Sequence, residues 1–596
     1  MKTKNNFRFL ISNVPFLSRR SFRRNRIQSF LRLRVWVLLP SVAAMLTLGL
    51  ATASSSFAGN ATWLASPANT DWNSAANWTA GGPPNGSTNT ATFATSNIKR
   101  PVISATTEVN GIVFNPGASA FTIASNPAAV PVITISGVGV TNNSGIVQHF
   151  VVNAGAAQIS FLNSATAGSL TAYTSFGTIT FGASSTADNA TFTNNAFLNF
   201  ANTATAGDAT FNNNSVLIFD DNSTAGNGTF NNGTLNTSGG FIQFGEDSSD
   251  APTAGNGIFN NLGSPSNTVG GGFVVIHFGT AGDATFINDG ATARGGIAGE
   301  TLFQDTGDAG NAILIANGGV GGGDGGSIQF ATASTGGTAR IEVFGSGKLD
   351  ISGHNAPGIT TGSIEGSGLV FLGARNLAVG ANNPSTTFSG VIQNGGASGG
   401  TGGSLTKIGT GTLTLNGANT YTGGTIVNTG TLLVSNTTGS GAGTGSVNVN
   451  AGTLGGSGII TGAVTIGTAN GAGAFLAPAG GTKRQATLTT QNGLTFNARS
   501  TYTYTFRAKG NRTRSDQVVA MGVTIDSGAT FVLHGTVQGG LQAGLVLTAI
   551  KNTSATPING TFGNLPDGAI LAINGNNLQA SYEGGDGNDL TLTLIP

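Results

Sequence analysis

The sequence predicts an all-β chain: a right-handed parallel β-helix (β-solenoid) with an N-terminal cap and a C-terminal β cap. Three observations carry that expectation. Turn punctuation by Gly, Asn and Pro cuts the chain into apolar-alternating runs of four to six residues, and no stretch keeps the 3.6-residue period of a helix. A motif such as Thr205-Ala206-Gly207-Asp208-Ala209-Thr210-Phe211 recurs from Thr186, Thr205, Thr224, Thr253 and Thr280, at spacings of 19, 19, 29 and 27 residues. Each unit carries a second anchor upstream, at Phe181, Phe200, Phe219, Phe244 and Phe278. A unit of that length with two short strands cannot bury its apolar face alone, whereas stacked coils can.

Residues 1–58 read as a signal peptide. Ten cations lie in the first 34 residues, Arg32 and Arg34 precede an apolar run from Val35 to Leu50, and Ser56-Phe57-Ala58 offers small residues to a signal peptidase. That run contains Pro40 and falls short of the ~20 residues of a spanning helix, so the mature chain is expected to begin near Gly59. Ser18-Arg19-Arg20-Ser21-Phe22 resembles a twin-arginine signal but sits well upstream of the apolar run, which leaves Sec-type export favoured.

Residues 59–160 read as a Trp-rich cap with the first coils. Trp63, Trp72 and Trp78 crowd where the first coil would otherwise present an unpaired edge; the competing reading is a set of exposed rings that stack on sugars. Residues 161–355 hold the phenylalanine-anchored repeats. Stacking would align Phe192, Phe211, Phe230, Phe259 and Phe286 in one internal ladder and Phe181, Phe200, Phe219, Phe244 and Phe278 in another, with rings about 4.8 Å apart. Asn pairs such as Asn194-Asn195 and Asn231-Asn232 are assigned to turns. The insertions Ser264 to Gly272 and Gly318 to Gly326 are read as loops leaving the coil, where binding would most easily reside. Residues 356–480 continue the solenoid, and residues 481–596 form a C-terminal β-rich cap.

Composition excludes several classes. There are 95 Gly and no Cys, and charged residues make up 8%, so disulfide staples and thiolate metal or redox sites are absent. Beyond Ala58, 15 cations face 24 acids, a net charge of −9, and no Lys or Arg stands between Arg100 and Arg294, where ten acids occur. A nucleic-acid partner, which needs clustered Lys and Arg, is therefore not expected. Hydrophobic residues make up 39%, enough to bury a core.

The segment from Leu405 to Val434, with Lys407, Gly409, Gly411, Leu413, Leu415, Gly417, Asn419, Tyr421, Gly423, Gly424, Gly430 and Leu432 at its marked positions, closely resembles the autotransporter-associated β-strand repeat of bacterial passenger domains. The region from Ala451 is similar to such proteins, although Ala477-Pro478-Ala479-Gly480 departs from their usual turn. Trp63, Trp72, Asn77-Trp78 and Pro83-Pro84-Asn85 resemble their opening, and Tyr582 to Asp589 their ending. The resemblance implies a secreted or cell-surface, non-enzymatic passenger-like protein of a bacterium with an outer membrane, in a structural or adhesive role. Its implied partners are an extracellular polysaccharide or the surface of a host or neighbouring cell. A passenger normally precedes an outer-membrane barrel of at least eight strands. After Ser500 only short candidate strands remain, so no translocator barrel is expected and export falls to a separate outer-membrane partner.

No residue is assigned a catalytic, cofactor-binding or metal role. Asp220 and Asp221 follow one anchor, and Glu246, Asp247 and Asp250 follow the next; they are expected to form a solvated acidic face. The alternative is a calcium or polysaccharide-lyase site with Arg294 supplied by a loop, within a β-helical carbohydrate-active enzyme or carbohydrate-binding protein. Gly584-Gly585-Asp586-Gly587-Asn588-Asp589 fits the start of a calcium-binding nonapeptide but stands once, so it reads as a turn into the last strand. His149, His277, His354 and His534 form no ligand-spaced pair, and Gly347-Lys348 lacks the rest of a P-loop, with Leu349 where Ser or Thr is required.

Overall fold

A coil in the middle of the chain has three pieces. Thr178–Phe181 is a strand, Thr186 makes a one-residue bridge and Thr191–Asn194 is a second strand; Phe197–Phe200 then lies parallel on Thr178–Phe181, residue on residue. The computed structural model describes residues 59–79, 82–233, 239–468, 471, 473–480, 484–509, 512–539, 541–542 and 544–596. The signal-peptide reading of residues 1–58 lies outside them. Repetition of the coil builds a fifteen-stranded parallel sheet from Ala61–Thr62 to Val391–Gln393, and a second parallel sheet that starts at Val102–Ile103. The fold is the parallel β-solenoid the repeats imply.

The third ladder was hidden in the Thr-Ala-Gly motif. Thr166, Thr186, Thr205, Thr224, Thr253, Thr280, Asp308 and Thr335 bridge one another in parallel up the stack. Each step is a backbone pair: the Thr205 N–H donates to Ser185, and the Thr205 carbonyl accepts from Ala187. The threonine hydroxyl also accepts the N–H two residues on, as Thr205 does from Gly207 at 3.1 Å, which closes a tight corner. The next residue must be left-handed, with φ +60° at Gly207 and +58° at Gly226, and a Cβ on Gly226 would lie 2.7 Å from the Gly207 carbonyl. Glycine meets both demands from Gly207 upward, whereas Asp188 takes the same left-handed position in the coil below, at φ 53°.

Inside, the strands alternate out and in, and the inward residues form columns. Phe150, Tyr173, Phe192, Phe211, Phe230, Phe259 and Phe286 stack with centroids 4.6 to 4.9 Å apart. A second column runs Phe161, Phe181, Phe200, Phe219, Phe244, at 4.6 to 4.9 Å. The two columns meet edge to face, as Phe200 and Phe211 do at 5.9 Å and 80°. Phe278 is not in this ladder. The strand Phe273–Ile276 sets Ile276 on Phe244 and beneath Phe303, and Phe278 lies half-buried past the strand end. Ile276 and Phe278 differ by two residues and so share the same in/out parity, which alternation alone cannot resolve.

The Asn pairs also differ from expectation. Asn194, Asn213, Asn232, Asn261 and Asn288 close their strands facing inward and are fully buried. The Nδ2 of each of the first four donates to the Oδ1 of the next, at 2.8, 2.9, 2.9 and 2.8 Å, and that of Asn288 donates to the Ile315 carbonyl at 3.2 Å. Stacking supplies each amide with an identical partner, so a buried ladder satisfies groups that a lone buried Asn would leave orphaned. An outer ladder at the motif's fourth position runs the other way: Asn227 and Asn256 donate downward to Asp208 and Asn227, and Asn311 donates to Asp283. Carboxylates only accept. Asp208 and Asp283 therefore stand at the bottom of their runs.

The ends are closed differently. Trp63, Trp72 and Trp78 are buried against Phe93 at the first coil, with the Trp78 Nε1 donating to the Trp72 carbonyl at 2.6 Å. They are a cap, not a sugar platform. Further along, the strand Gly358–Gly366 pairs with Asn376–Val379 at its start and with Phe388 at its end, so one column of strands becomes two. Above this fork the repeat segment contributes Ser404–Lys407 and Thr412–Leu415, then Thr425–Val427 and Thr431–Val434 stacked on them. The fifteen-stranded sheet stops there, and the Asn419 amide takes its place: Oδ1 accepts from Ile392 and Nδ2 donates to Gly441. Antiparallel strands Asn576–Gly584 and Asp589–Ile595 finish the stack.

At the fork, residues 395–402 leave the coil, tethered by hydrogen bonds from Ala397 to Asp350 and from Ser398 to Ser352, with Gly400 to Gly402 exposed. Limited proteolysis of the mature chain is expected to cut here first and leave a resistant C-terminal fragment beginning between Gly395 and Ser404. A resistant fragment mapping to the phenylalanine coils instead would reverse the stability order.

Candidate functional site

Two corners of the stack carry groups that are not needed to build it. The first lies where the chain passes from the inner Asn ladder to the fifteen-stranded sheet. Residues 262–272, 289–299 and 317–326 leave three successive coils at this corner, and the two insertions expected to be loops fall within the first and last. The loops pair with one another: Ser264 N–H donates to Ile297, Ala291 to Asp324 and Val320 to Ala291. Between them is an open cleft of about 310 Å³ lined by Leu262, Asp289, Thr292, Asn317 and Val320 among others. The Asn317 amide donates to Asp289 at 2.9 Å, and Val320 is 61% exposed. Three stacked glycine-rich loops thus offer one carboxylate, one amide and one hydroxyl beside an apolar rim.

The second corner lies between the fifteen-stranded sheet and the threonine ladder. It brings Asp220 and Asp221 of one coil together with Glu246, Asp247 and Asp250 of the next. Asp221 Oδ2 accepts from the backbone and side chain of Asn202, at 2.7 and 3.0 Å. Asp250 Oδ2 accepts the N–H groups of Glu246 and Asp247, each at 2.8 Å. Asp220 Oδ1 is buried without a hydrogen-bond partner. Burial, then repulsion from Asp250, Glu246, Asp221 and Asp247, pushes the Asp220 carboxyl up to about 7. The face is thus acidic, as expected, and one oxygen of Asp220 is buried within it. Arg294 sits in the loop at the other corner, exposed, so topology separates it from these acids and removes the base the lyase reading needs.

The remaining candidates are dispersed. His149 and His534 are exposed, His277 Nδ1 lies 2.8 Å from Asp305, and His354 is buried among backbone carbonyls, 2.7 Å from that of Ser334. Gly584 to Asp589 is a hairpin turn, in which the buried Asp589 accepts the Asn552 N–H at 2.9 Å. Lys348 begins the strand Lys348–Asp350. Sequence reasoning gave no role to Lys407 or Asp516, both buried. Lys407 Nζ donates to the carbonyls of Ile408 and Gly409, and burial pushes it down to about 8. Asp516 accepts from Ala486 and from the Thr505 backbone and hydroxyl. Both tie turns; in the sequence Lys407 stood out only as a marked position of the repeat, and Asp516 did not stand out.

A family model described as the passenger-associated-transport-repeat matches residues 405–434. That is the segment seated just above the fork. No curated protein matches the chain. Among solved structures, the Hap adhesin of Haemophilus influenzae is similar at 11% identity and a TM-score of 0.29, over 85% of this chain and 64% of the adhesin.

Proposed function

We propose that the chain is a secreted or cell-surface β-solenoid of the passenger type, with a structural or adhesive and non-enzymatic role. The observation that carries this reading is the passenger-associated repeat built into the coil stack at residues 405–434. Two features of the stack support it. Ladders of identical side chains make a scaffold that depends only on neighbouring coils, and the loop corner projects from that scaffold where a partner surface can reach it. The same repeat supports export to the surface of a bacterium with an outer membrane. Among the described residues no helix is long and apolar enough to cross a membrane.

The test is adhesion of the purified mature chain to a panel of polysaccharides and to cells, with and without calcium. Binding is expected without release of new reducing ends or unsaturated sugars. Val320→Asp, which places a charge on the exposed rim of the loop cleft, is expected to weaken adhesion about tenfold, as loss of one apolar contact in a small site does. Release of sugar fragments during the assay would sink the non-enzymatic reading.

A further inference from the structure

We infer that the acidic corner is a proton-operated joint between coils: a proton on Asp220 keeps residues 245–251 closed on the coil below, and its loss lets that segment open.

The geometry begins with the chain direction. Asp220 leaves the fifteen-stranded sheet directly after Phe219, whose ring is held between Phe200 and Phe244. Its N–H donates to the Phe200 carbonyl at 2.9 Å, which fixes its main chain in the ladder. Oδ1 is buried and accepts no hydrogen bond. The Asn202 donors on one side are taken by Asp221, and the Glu246 and Asp247 N–H groups on the other by Asp250.

The groups facing Asp220 from each side add no positive charge. The coil below presents Ala201, Asn202 and Thr203, none of which titrates. Its own coil presents Asp221, and the coil above presents Glu246, Asp247 and Asp250. His277, one coil higher, is already paired with Asp305. No Lys or Arg exists between Arg100 and Arg294. A charge on Asp220 therefore meets only acids, and the cheapest relief is separation from the segment that carries three of them. That segment is closed on the coil below by a backbone contact at each end, the Gly245 N–H on the Phe219 carbonyl at 2.8 Å and the Ala251 N–H on the Asp221 carbonyl at 2.7 Å, together with the turn pinned by Asp250.

The direction with pH follows. The carboxyl is raised from 3.8 to about 7 in the folded chain, chiefly by burial. A raised acid stabilises the closed state fully below its unfolded value and loses that contribution as pH rises through the folded value. Closure is thus expected to weaken between about pH 4 and pH 7 and to stay weak above.

The experiment is hydrogen exchange of the amides of residues 246–251 in the mature chain, corrected for intrinsic rates, from about pH 5 to pH 9. In the native chain protection is expected to fall by up to about tenfold per pH unit, the limit for one proton, and to level off above pH 7 to 8. Asp220→Asn is expected to flatten this profile. Asp250→Asn removes the largest of the repulsions and is expected to move the midpoint to lower pH without abolishing the fall. If Asp220→Asn does not fold, the Asp250→Asn midpoint alone decides. A native profile shared by Asp220→Asn, or an unmoved midpoint in Asp250→Asn, overturns the inference. So does protection at pH 8 that calcium restores in full, which would assign the corner to a cation.

Discussion

Replacing Phe211 by Asp is expected to melt the middle coils while the C-terminal coils stay folded. Phe211 is fully buried, lies 4.9 Å from Phe192 and 4.8 Å from Phe230, and meets Phe200 edge on. Truncating a buried Phe costs about 3–5 kcal/mol, and a charge with no partner adds a desolvation penalty that the interior cannot offset. Because coils touch only their neighbours, the loss stays local. Hydrogen exchange should show protection lost across residues 181–244 and kept beyond residue 404. An unchanged melting profile would remove the ladder as a source of stability.

The second large effect belongs to the inner amide ladder. Asn213→Ala leaves the Oδ1 of Asn232 without the amide that now donates to it, and takes from the Asn194 amide the Oδ1 it donates to. Buried polar atoms without partners cost about 1–3 kcal/mol each, so a loss of about 2–4 kcal/mol is expected by thermal or denaturant melting. Its neighbour Asn212 sits on the outer side of the same strand and accepts from Asn231 at the surface. Asn212→Ala should stay within about 0.5 kcal/mol. Equal effects from the two substitutions would mean that the inward amides are not what holds the corner.

The contrast between those two asparagines marks how far sequence reasoning reaches. Strand period and repeat spacing were enough to find the solenoid, the phenylalanine columns and the tryptophan cap, because all three are governed by burial of apolar area. Polar residues were harder. Asn tolerates turns and also forms amide ladders, and which applies depends on whether a copy of itself stands one coil away, a fact about stacking and not about local preference. At the motif's fourth position an Asp, which only accepts, necessarily ends a run of downward-pointing donors, whereas an Asn can pass it on. The threonine ladder was missed because a one-residue bridge has no period. The acidic corner was legible as a cluster, since Asp220 and Glu246 follow equivalent anchors. That one carboxylate oxygen would be buried could not be read, because it depends on where the excursion from Gly245 folds back.

Two equal coils of the phenylalanine region carry a consequence for heredity. The coil from Thr186 to Ala204 and the coil from Thr205 to Ser223 have the same 19-residue length and hand the same groups upward and downward: a phenylalanine ring, an inward amide and a bridging threonine. Removing either one in frame would set the remaining coils on each other with the ring, amide and threonine ladders continued. Gain or loss of whole coils can therefore lengthen or shorten this protein one coil at a time, and the descendants would differ in reach without having to evolve a new core.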